Sequence, residues 1–130
     1  MARWFGFRFV ADKVMAIMFS KSFLQDPERS DEKLWWRTRL VYNRKTMFRA
    51  VNGVIQRQGV YDELKNIKAP VLIVVGDEDV ATVPAKAERI HAAIPGSKLV
   101  TVTKAGHSST VEQPEQVNRA IEQFLNGLGG

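Results

Sequence analysis

Val71-Leu72-Ile73-Val74-Val75-Gly76-Asp77-Glu78-Asp79 is the stretch on which the fold turns. Five consecutive apolar residues, stopped by Ala69-Pro70 on one side and Gly76 on the other, have the pattern of a parallel strand covered on both faces. An acidic turn follows its carboxyl end. Further along, Pro84 suits the first turn of a helix, where its missing N–H is no loss, and Ala87, Ile90 and Ile94 give that helix a narrow apolar stripe. Pro95-Gly96 turns the chain, and Leu99-Val100-Thr101-Val102 predicts a second strand, so that residues 71–102 form one strand-helix-strand unit. The next loop ends Ala105-Gly106-His107. An acid and a histidine therefore stand just past the carboxyl ends of two successive strands, where open α/β sheets hold their reactive groups.

A last helix opens at Pro114, with Val117, Ala120, Ile121, Phe124, Leu125 and Leu128 as its apolar stripe. Upstream, residues 1–60 carry helical spacing and no strand-like alternation. Val10, Val14, Ile17, Met18, Phe23 and Leu24 predict a helix that stops at Asp26-Pro27, because a residue before proline is pushed out of the α region. Ser30-Asp31-Glu32 offers a cap and first-turn negative charge for a second helix through Trp35, Trp36 and Leu40. Met47, Phe48, Val51, Val54 and Ile55 make the stripe of a third. The aromatic side chains Trp4, Trp35, Trp36 and Phe48 suit either core packing or the lining of an apolar pocket. The expected organisation is a helical segment over 1–60, a short polar connection over 61–68, and an α/β part completing 61–130.

The 130 residues include no cysteine, which excludes a disulfide framework, a thiolate metal site and a cysteine nucleophile. Residues 1–68 carry a net charge of +7 and residues 69–130 one of −2. The positive residues are scattered among apolar ones and form no run, the pattern of solvated amphipathic faces rather than of a nucleic-acid site. Arg8, Asp12, Lys13 and Lys21 interrupt the apolar amino terminus well short of the roughly 18 residues that a spanning helix needs. Val14–Phe19 is too short for a signal-peptide core, and the expected compartment is the cytoplasm. His91 and His107 lie far apart without ligand spacing, so no metal site is expected, and nothing calls for a cofactor.

Only two strands are expected, and a two-stranded parallel sheet leaves unpaired backbone groups at its edges. The chain is therefore expected to self-associate or to complete its sheet with a second chain.

Val71–Asp79, Ala81–Ala87 (ATVPAKA), Ile94-Pro95-Gly96 and Ala105–Pro114 (AGHSSTVEQP) together resemble the carboxy-terminal third of the α/β-hydrolase superfamily, in particular its cofactor-free esterase and lactonase-like members. The resemblance covers about residues 60–128. The helical segment before it is similar in character and position to the cap of such enzymes. The fold class it implies is α/β, a helical cap-like half followed by the last strand-helix-strand-helix of a hydrolase sheet. By the same resemblance, Asp79 is the triad acid and His107 the general base, with Trp35, Trp36 and Phe48 on the substrate side. The family's chain order is serine, acid, histidine, with the serine in a G-x-S-x-G elbow. No G-x-S-x-G occurs in these 130 residues. Ser20, Ser22 and Ser30 lack flanking glycines, and Ser108 and Ser109 adjoin His107 too closely to lie across the imidazole from its acid. The expected function is hydrolysis of a small apolar carboxylic ester or lactone by a triad whose serine comes from outside this sequence, as in a truncated or complemented enzyme. The alternative is a non-catalytic module derived from such an enzyme, self-associating or binding an apolar ligand.

Overall fold

The computed structural model describes residues 2–40 and 44–129, with side chains over 10–40 and 49–129. Helices α1 (Ala2–Met18), α2 (Lys21–Gln25), α3 (Ser30–Leu40) and α4 (Arg44–Ile55) come first, with a 3-10 turn at Pro27–Arg29. A second 3-10 turn, Tyr61–Asn66, leads to β1 (Leu72–Gly76), α5 (Pro84–Ala93), β2 (Lys98–Val102), α6 (Ser109–Glu112) and α7 (Pro114–Asn126). The fold class is α/β. β1 and β2 pair in parallel from Leu72 opposite Lys98 to Gly76 opposite Val102, and they are the whole sheet among the described residues. No described helix is long and apolar enough to cross a membrane.

Among the described residues, buried apolar side chains form two small cores. Val102, Ala105 and Val117 pack with Val74 between the sheet and α7. Met15, Phe19 and Phe23 pack with Trp36, Leu40 and Val111 in the helical half. Phe19 and Phe23 stack at 4.6 Å between ring centroids, and Trp36 leans on Phe19 at 6.1 Å.

The first helix differs from the sequence expectation in two ways. It ends at Met18 rather than near Asp26, because Ser20 starts a new helix: its Oγ accepts the Phe23 N–H at 2.9 Å. The buried row is Ala11, Met15 and Phe19, whereas Val10 and Ile17 face solvent. Apolar residues surround this helix, so periodicity alone did not choose its inner face. Ser30 also differs, since its hydroxyl donates to the Pro27 carbonyl at 2.7 Å instead of capping α3. Pro114 opens the last helix as expected, but α6 precedes it, and its last two carbonyls accept hydrogen bonds from Arg29 at 3.1 and 2.8 Å. The side chains of Trp4, Met47 and Phe48 lie outside the described residues.

Candidate active site

The acidic turn grows out of β1 because Gly76 lets two backbones meet. A Cβ there would lie 2.2 Å from the Ala105 carbonyl oxygen. With that contact open, the Asp77 N–H donates to Val102 O at 3.0 Å and the Glu78 N–H to Ala105 O at 2.9 Å, binding the turn to the loop after β2. Asp79 is 7% exposed. Its Oδ1 accepts the N–H groups of Ala81 and Thr82, both at 2.8 Å, which fixes the carboxylate in its own turn. Oδ2 is thereby aimed at His107, whose Nδ1 lies 3.0 Å away. Asp77 accepts the Ala105 N–H at 3.3 Å, a further tie between the turn and the loop after β2.

The histidine loop is shaped by Lys104, at a left-handed φ of 55°, and by Gly106. A Cβ on Gly106 would lie 2.5 Å from the Ser20 nitrogen, so this loop seats directly on the connection between α1 and α2. The bonds there are specific: Ser108 N–H to Met18 O at 2.9 Å, Gly106 N–H to Glu112 Oε1 at 2.9 Å, and Ser20 N–H to Glu112 Oε2 at 2.8 Å. Glu78 reaches the first turn of α2, where its carboxylate accepts both the N–H and the hydroxyl of Ser22. Those two donors hold the Glu78 carboxyl below its ordinary pKa.

The His107 side chain is 41% exposed and its Nε2 has no hydrogen bond to a described residue. An imidazole that donates through Nδ1 to a carboxylate presents Nε2 as an acceptor for a proton from outside. A cavity of about 190 Å³ opens beside it, lined by Ile73, Gly76, Asp79, Ile90, His107 and Ser109 among others. A larger hollow of about 390 Å³ lies between Ser22, Arg29 and Lys104 and includes neither Asp79 nor His107.

Asp79 and His107 are thus brought together, while the tryptophans are used elsewhere. Trp36 packs into the helical core, and Trp35 is held edge-on to Trp36 at 4.6 Å and beneath the Arg39 guanidinium at 4.0 Å. His91 bonds Ser97 Oγ through Nδ1 at 2.8 Å, away from the site. Glu78, Glu112 and Ser20, which set the geometry of both loops, carried no signal in the sequence, where an acid in a turn or helix reads as solvated.

Three kinds of similarity meet on this geometry. The model of the family described as TAP-like protein matches residues 47–128. Carboxylesterase YbfK of Bacillus subtilis (strain 168) is 39% identical over 66 residues, 50% of this chain and 22% of the relative. The enol-lactonase of Burkholderia xenovorans LB400 superposes with a TM-score of 0.80 at 25% identity, covering 96% of this chain and 47% of that one. A thermophilic esterase of Thermogutta terrifontis, with malate bound, gives 0.80 at 28% identity over 92% and 43%. The chain spans less than half the length of these relatives. With the family match running from within α4 through the acidic turn and the histidine loop to the end of α7, the chain belongs to the TAP-like protein family of α/β hydrolases.

Proposed function

We propose that this chain is the acid- and histidine-bearing part of a serine hydrolase acting on small apolar carboxylic esters or lactones. The observation that carries the proposal is the 3.0 Å Nδ1–Oδ2 pairing with Nε2 left open. In this mechanism Nε2 takes the proton of a serine hydroxyl as that oxygen attacks the ester carbonyl, then returns it to the leaving alkoxide. Asp79 keeps the ring in the Nδ1–H tautomer and stabilises the imidazolium formed between the two steps. Water repeats the cycle to release the acid. The serine lies outside these 130 residues, and a second copy of the chain cannot supply it, because the copy has the same sequence without G-x-S-x-G.

Residues 1–60 act as a cap-like segment and 61–130 as the carboxy-terminal part of the core. The esterase and lactonase activities named for the relatives support this substrate class. The test is coexpression with a polypeptide carrying the nucleophile elbow and the preceding strands. A complex hydrolysing p-nitrophenyl butyrate, with turnover lost in His107→Ala, is expected; turnover unchanged by that substitution refutes the proposal.

A second reading rests on the exposed stripes of α4 and α7, where Val54, Ile55 and Leu125 face solvent. It makes the chain a self-associating module without catalysis. A concentration-dependent oligomer mass, with no hydrolysis in any complex, distinguishes it.

A further inference from the structure

Glu112 stands five residues past His107 and is 3% exposed, yet no described cation pairs with its carboxylate. Its two oxygens are used on two backbone N–H groups that belong to different parts of the chain. Oε1 takes Gly106, next to His107, and Oε2 takes Ser20, 92 residues from Glu112 in sequence. A buried carboxylate is costly to desolvate and is kept where its hydrogen bonds are charge-assisted and complete. Both conditions are met at this position.

We propose that Glu112 is a positioning residue: it clamps the histidine loop to the Ser20 backbone and so holds His107 where Nδ1 meets Asp79. The proposal rests on the acid–base reading of that pair given above. Three observations converge on it. Lys104 enters the loop at φ 55°, a conformation that persists only when its surroundings hold it. The Ser20 hydroxyl meets the Lys104 carbonyl at 3.4 Å, closing the loop on the same seat. Glu78 performs the matching task for the acidic turn by accepting from Ser22. Both reactive loops are thus referenced to one stretch, Ser20–Ser22, through one carboxylate each. Glutamine cannot replace Glu112, since its amide offers one acceptor for two donors and turns an NH₂ group toward the other N–H.

The test uses the full chain labelled with ¹⁵N and ¹³C, and reads His107 rather than catalysis. In the parent, the imidazole ¹⁵N shifts report the Nδ1–H tautomer, and Asp79→Asn moves them toward Nε2–H. Glu112→Gln is expected to move them in the same direction, to leave His91 unmoved, and to speed amide exchange at Ser20 and Gly106 by about tenfold or more. Unchanged His107 shifts in a folded Glu112→Gln chain overturn the proposal. Unchanged shifts in Asp79→Asn instead overturn the acid–base reading, so the two failures are distinct. If Glu112→Gln does not melt cooperatively, couplings across the hydrogen bonds from the Gly106 and Ser20 nitrogens to the Glu112 carboxyl carbon decide in the parent: their presence upholds the clamp and their absence overturns it.

Discussion

The two reactive loops and the two apolar stripes of this chain are built to opposite rules. Around Asp79 and His107 polar groups are paired off, and no buried side-chain nitrogen or oxygen among the described residues lacks a partner. On α4 and α7 the described ends of the apolar stripes face solvent: Ile55 is 73% exposed and Leu125 57%. Polar geometry at the loops closes within the chain, since its donors and acceptors lie on 18–22, 76–82 and 102–112. Apolar burial is incomplete at these faces, which therefore add little of the stabilisation that scales with area removed from water. The loops can hold their arrangement without the surfaces being covered.

Emptying the helical core and crowding the histidine loop are expected to have the two largest effects. Phe19→Ala empties the stacked Phe19–Phe23 core and is expected to cost about 3–5 kcal/mol, read from urea midpoints. Gly106→Ala drives a methyl into the Ser20 backbone and is expected to cost about 3 kcal/mol, with the Ser108 and Gly106 amides losing protection. If that chain melts like the parent, the loop is not seated where it is described.

A smaller effect belongs to Glu78. Its folded-state carboxyl titrates below the unfolded one because Ser22 donates to it. The stability it contributes is therefore present above the ordinary glutamate pKa of about 4.3 and is lost as pH falls through the lowered folded value. Parent and Glu78→Gln should differ in melting temperature at neutral pH and converge in acid; a constant gap across that range would break the assignment. At the other end of the scale, Val54→Ala on the exposed stripe is expected to change stability by less than about 0.5 kcal/mol. A larger loss would show that α4 is already covered in solution.

Much of this was legible in the sequence where neighbours along the chain decide the structure. The run Val71–Val75 and its stops gave β1 within one residue, and Pro84 and Pro114 both open helices where their missing N–H costs nothing. The approach of Asp79 to His107 follows from one turn and one loop leaving adjacent parallel strands. What was not legible depends on contacts distant in sequence. The break at Ser20 owes as much to Glu112, 92 residues away, as to the local cap. The inner face of α1 is set by what α3 presents to it, and no periodicity distinguishes Met15 from Ile17. Trp35 and Trp36 are adjacent and chemically identical, yet only Trp36 enters the core, a choice made by the position of Phe19.

The most direct test is ester hydrolysis by the purified chain alone, with p-nitrophenyl butyrate, across protein concentrations and beside His107→Ala. With His107 Nδ1 held by Asp79 and no G-x-S-x-G in its sequence, the chain is expected on the proposed function to give no turnover above the His107→Ala background at any concentration, and to gain it only when a nucleophile-bearing polypeptide is added. Turnover by the chain alone that disappears in His107→Ala would contradict this, and would place the nucleophile among these 130 residues.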